Sequence, residues 1–152
     1  MATILYDQAM SLPTSLRKEI ERIVRQVESA LTVELPPLIV QIDCSHATSP
    51  RNFAAILAGN PTYLYLCEDF ALQPVTRVRG ILFHELGHVL QWAQKLYDFS
   101  IVPKPPRQLD SEQQADWLIE NMCGVTIFYD DELVQRAGPG AKGRWPRPKN
   151  LR

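Results

Sequence analysis

PVTRVRGILFHELGHVLQW, residues 74–92, is the stretch on which the fold turns. Val75, Val78, Ile81, Leu82, Phe83, Leu86, Val89, Leu90 and Trp92 cover most of the circumference of an α-helix, and Pro74 suits its first turn. A helix apolar nearly all round belongs in the middle of a domain. Inside it stands His84-Glu85-Leu86-Gly87-His88, an H-E-x-x-H pattern. Histidines four apart on a helix lie one turn above the other, so both imidazoles can reach a single ion at about 2.0–2.1 Å. That spacing makes half of a zinc site. Glu85, on the flank of the same turn, can approach water activated by the ion, take its proton and pass it to a leaving amine without being a ligand. Gly87 is explained by close packing beneath the metal, which a side chain would obstruct.

Composition argues against coincidence. With three histidines in 152 residues, a random arrangement yields this five-residue match roughly 0.003 times. The bland alternative, two helix histidines beside a solvated glutamate, would bury a polar set in an apolar helix without return.

Catalytic zinc usually takes three protein ligands. His46 is the remaining histidine, but a better source lies at Ser111-Glu112-Gln113-Gln114-Ala115-Asp116, beginning after a Pro-rich connection from Val102 to Pro106. Glu112 and Asp116 share a helix face, so one carboxylate can ligate zinc while the other accepts the second N–H of a ligating histidine. Glu112 is the expected third ligand. Asp110 or Ser111 can cap this helix, and Gly124 stops it.

Outward from these helices, Leu16, Ile20, Ile23, Val24, Val27 and Leu31 recur at helical spacing in an N-terminal helix over 15–31, with Ser15 as its N-cap. Leu38 to Ile42 is a β-branched run of strand length after Pro36 and Pro37. Phe53 to Leu57 and Thr62 to Cys67, separated by Ala58-Gly59-Asn60-Pro61, form a hairpin with a longer loop. These elements predict one α+β domain over residues 1–137. A Gly/Pro-rich basic tail follows over 138–152, too poor in apolar residues to fold alone. Lys142, Arg144, Arg147, Lys149 and Arg152 make that tail +5 and leave the rest at −6.

The net charge of −1 gives no overall case for nucleic acid or an anionic membrane. No run of eighteen uncharged apolar residues is present, so no membrane span is expected. Cys44, Cys67 and Cys123 are odd in number and form no C-x-x-C pair; they read as reduced thiols in a cytoplasmic protein.

His84 to His88 followed by Glu112-x-x-Ala115-Asp116 resembles the gluzincin metallopeptidases, in which two helices supply two histidines and a downstream glutamate. The size and element order are most similar to the small ImmA/IrrE-type peptidase domains. The segment from His84 to Gln91 also resembles the putative neutral zinc metallopeptidases. The likeness departs after Asp116, where Leu118-Ile119-Glu120-Asn121 stands in place of the Phe-Ala of many ImmA/IrrE relatives. The resemblance implies a zincin-like fold with an N-terminal helix, a small mostly antiparallel sheet, the H-E-x-x-H helix and the glutamate-bearing helix. It implies one Zn2+ per chain held by His84, His88 and Glu112, Glu85 as general base and acid, and Asp116 supporting His84. It further implies that the strand near Tyr63 and Tyr65 is an edge that pairs with an extended peptide. Tyr97, Tyr129 and His46 are candidates for stabilising an oxyanion. The activity implied is hydrolysis of a peptide bond in a protein or peptide substrate, such as regulatory cleavage of a repressor. The competing reading is a zinc-clipped, catalytically inactive protein-interaction module.

Overall fold

The computed structural model describes residues 1–7, 12–32, 34–43, 53–96, 104–125 and 127. Helix α1 (Thr14–Leu31) buries all six of its predicted apolar positions. Ser15 is not its cap. Pro13 holds that position, and its carbonyl accepts from the amides of Leu16 and Arg17 at 3.1 Å each, so the helix starts earlier than the Ser15 signal implies. Glu28 joins the buried face, where its Oε2 accepts from the amides of Ala2 at 2.9 Å and Leu35 at 2.8 Å. This carboxylate fastens the chain on both sides of α1.

Strands β1 (Ile4–Tyr6), β2 (Leu38–Ile42), β3 (Ala54–Leu57) and β4 (Thr62–Leu66) form one sheet in the order β1-β2-β4-β3. The expected mostly antiparallel sheet is corrected here to a mixed one. β1 pairs with β2 and β2 with β4 in parallel; only β3 and β4 are antiparallel. The reason is β1, three residues too short to show alternation in the sequence. It makes α1 a crossover between parallel neighbours, the connection such strands require. The β3–β4 hairpin is as expected, but it joins the sheet through its second strand.

That order also moves the edge. β4 is paired on both sides, so it is not the edge strand that the resemblance implied; the outer position belongs to β3. Leu38 of β2, Ile56 of β3 and Leu64 of β4 line a small cavity with Ile20, Ile23 and Val24 of α1. Leu82, Glu85 and Leu86 complete it, which puts α1 and the long helix α2 (Val75–Leu96) on the same face of the sheet. Because side chains alternate along a strand, Tyr63 and Tyr65 point to the opposite face from Leu64. There their rings stack at 6.1 Å between centroids. An edge contact of Tyr63 and Tyr65 with a peptide beside α2 is therefore contradicted by pairing and by direction.

A short 3-10 turn (Phe70–Leu72) leads into α2, which is buried on nearly every side from Val78 to Leu90. Helix α3 (Ser111–Cys123) starts at Asp110, whose Oδ1 accepts from the Gln113 amide at 2.8 Å while Gln113 Oε1 accepts from the Asp110 amide at 3.0 Å. This reciprocal capping box fixes the first turn, the one that carries Glu112. Gly124 ends α3 at φ 66, in the left-handed region that glycine enters without penalty.

Cys123 is a free thiol, pushed up to about 11 by burial. Cys67 is disulfide-bonded. The expectation of reduced thiols fails at this residue, because folding, not sequence spacing, decides which sulfurs meet. Among the described residues no helix is long and apolar enough to cross a membrane. The 138–152 tail lies outside the described residues.

Candidate metal centre

Five side chains from α2 and α3 meet on one side of the buried helix. His84 Nδ1 is 2.6 Å from Asp116 Oδ1, and His88 Nδ1 is 2.7 Å from Gln91 Oε1. Both Nε2 atoms turn to Glu112 Oε2, at 3.3 Å from His84 and 2.6 Å from His88. The expected pairing of Asp116 with His84 is present in this arrangement, as is the grouping of His84, His88 and Glu112. One donor atom from each of these three lies within 4.8 Å of the others.

The donor chemistry fits a cation. Glu112 Oε2 is buried, with the two ring nitrogens as its neighbours at 3.3 and 2.6 Å. Such an atom is costly unless something positive satisfies it. Ligands held at about 2.0–2.2 Å around one tetrahedral zinc are roughly 3.4 Å apart; the 3.3 Å from His84 Nε2 to Glu112 Oε2 matches this, and the 2.6 Å from His88 Nε2 would widen on binding. Two imidazoles and one carboxylate are also the ligand types that a catalytic zinc takes. Exposure points the same way: the His84 side chain is 6% exposed, whereas His88 is 23% and Glu112 42% exposed. A metal here would be anchored on the buried side and reachable from the other.

The electrostatics follow from this crowding. Burial pulls His84 away from its charged form, but the adjoining Asp116 carboxylate, with Glu112 and Glu85, outweighs it and raises the imidazole to about 10. Burial likewise disfavours an ionised Glu112, and the two imidazoles overcome it, holding this carboxyl well below the usual range. His88 is raised, by Glu112 and Glu85 against its own burial and the charge of His84. The negative groups outnumber what two imidazoles can neutralise, so the site attracts positive charge.

Gly87 explains how α3 comes so close. A Cβ there would sit 2.3 Å from the Ala115 carbonyl oxygen, well inside contact distance with backbone. The bare glycine lets α3 lie directly on α2, with Glu112 and Asp116 on either side of Ala115. The packing anticipated for this glycine is found, and the surface it meets is the backbone of the ligand-bearing helix.

Glu85 stands apart from the three converging donors. It is 9% exposed and lines the small apolar cavity with Ile56 of β3. Ile56 of the edge strand and Glu85 thus line the same cavity. Gln91 was not singled out by sequence reasoning; its signal is the i+3 spacing from His88, and its Nε2 also donates to the Ser111 carbonyl at 2.6 Å. Tyr97, Tyr129 and His46 lie outside the described residues. No family model, curated protein or solved structure matches the chain.

Proposed function

We propose that the protein is a zinc-dependent metallopeptidase of the gluzincin kind, related to the ImmA/IrrE-type domains. The observation that carries this reading is the meeting of His84 Nε2, His88 Nε2 and the buried Glu112 Oε2. Beside them Glu85 is a further acidic group that a purely structural zinc site has no need of. His84, His88 and Glu112 would hold one Zn2+, which when bound supplies Lewis acidity for polarising a carbonyl and acidifying water.

The remaining work belongs to the chain. Asp116 accepts the Nδ1 proton of His84, which leaves the Nε2 lone pair directed at the metal position. Glu85 accepts a proton from the attacking water and delivers it to the departing amine nitrogen, so one carboxylate serves as base and then acid. Its burial limits the access of bulk water that would compete for that proton. Among the described residues no strand pairs with the outer edge of β3, and an extended peptide added there would pass beside Glu85. Such a strand recognises backbone, so the substrate is a polypeptide. Selective cleavage of one protein, such as a repressor, is the form that the resemblance favours.

The test is Glu85→Gln, screened by mass spectrometry against a proteome-derived peptide library beside the wild type. Loss of the general base should lower cleavage by about 10²–10⁴ while zinc content and thermal unfolding stay as in the wild type. Equal cleavage by both proteins would contradict the peptidase reading and leave a zinc-binding interaction module.

A further inference from the structure

Gln91 stands at the join between the two helices that carry the donors. Its side-chain amide bridges His88 Nδ1, at 2.7 Å, and the carbonyl oxygen of Ser111, at 2.6 Å. The chemistry of these neighbours decides the orientation of every group in the chain. A backbone carbonyl can only accept, so the amide group facing Ser111 must be the NH2. The amide oxygen then faces His88, and an oxygen can only accept. His88 Nδ1 must therefore carry a proton, so Nε2, 2.6 Å from Glu112 Oε2, is the ring nitrogen left to meet a metal ion.

We propose that Gln91 is a positioning residue of the metal centre, which fixes the tautomer and ring plane of His88 and locks them to the backbone immediately before Glu112. This role rests on the metal-binding reading above. Ser111 is the residue directly before Glu112, so one amide connects one ligand to the main chain of another. His84 has its counterpart in Asp116, a charged partner that reaches it from α3 itself. Each histidine is thus held against α3, one by a side chain of that helix and the other through Gln91. The residue type follows from the two contacts. A glutamate keeps the acceptor for Nδ1–H but sets an oxygen against the Ser111 carbonyl; a leucine supplies neither contact.

The test compares the full-length wild type, Gln91→Leu and Gln91→Glu. Zn2+ affinity is measured by chelator competition, and the His88 ring protonation in the Zn2+-loaded proteins by 15N NMR of labelled histidine. Gln91 is only partly buried, so both variants should fold, which circular dichroism checks. Gln91→Leu should bind Zn2+ about 10–100-fold more weakly and lose the slowly exchanging Nδ1 proton of His88. Gln91→Glu should keep that proton and fall between the two in affinity. An affinity within twofold of wild type in Gln91→Leu, with the Nδ1 proton still protected, would overturn the role of Gln91 while the metal centre stands. A wild type that takes up no Zn2+ would overturn the centre itself, and the role with it.

Discussion

His84 is held between opposing forces. Its imidazole is buried, which alone would favour the neutral ring, yet Asp116 at 2.6 Å and the neighbouring glutamates raise it to about 10 from an ordinary value of 6.5. In the metal-free chain at neutral pH, His84 therefore holds a proton that a metal ion must displace. The direction of the pH dependence follows. Below about 10, each fall of one pH unit favours the protonated ring and should weaken Zn2+ binding about tenfold for this proton alone. Glu112, held low by the same imidazoles, stays ionised throughout and adds nothing to the slope. Chelator competition at pH 6, 7 and 8 checks this; an affinity that does not change over that range would contradict it.

At the scale of elements, the centre depends on how closely α3 lies on α2. Gly87→Ala improves intrinsic helix propensity by about 1 kcal/mol. The added methyl, however, falls 2.3 Å from the Ala115 carbonyl oxygen, and neither backbone can yield without moving the helix that bears Glu112. Overpacking of this kind costs about 1–3 kcal/mol and should win. We expect lower stability in urea unfolding together with weaker Zn2+ binding; wild-type values for both would show that the helices are free to separate. What the sequence reveals about these elements tracks the range of the interactions. The H-E-x-x-H pair, the Asp110 cap, the Gly124 stop and the shared face of Glu112 and Asp116 are local patterns within one or two helical turns, and all are legible. Gln91 sits at an equally legible spacing from His88, but its second partner, Ser111, is brought near only by helix packing.

At the scale of the whole molecule, strand order is where sequence reasoning stops. Ile4 to Tyr6 is too short for a periodic signal, so the parallel β1–α1–β2 connection is invisible until the fold is seen, and with it the parallel sense of most of the sheet. The hairpin is readable from Gly59, Asn60 and Pro61, but nothing local says which of its strands docks on β2. That choice sets β3, not β4, at the rim beside Glu85 and turns Tyr63 and Tyr65 to the far face. The disulfide at Cys67 is hidden for the same reason. What survives all of these rearrangements is the convergence of His84, His88 and Glu112, because the α2–α3 contact that creates it is specified by Gly87 and the α3 cap.

The central claim is that these three residues bind one metal ion while Glu85 does not. The most direct test is the zinc content of tag-free protein by plasma mass spectrometry after Zn2+ loading and gel filtration, for the wild type, Glu112→Ala and Glu85→Gln. About one zinc per chain is expected in the wild type and Glu85→Gln and a marked loss in Glu112→Ala, as three-ligand zinc sites require. A folded wild type without zinc, or a Glu112→Ala protein that retains it in full, would contradict the account.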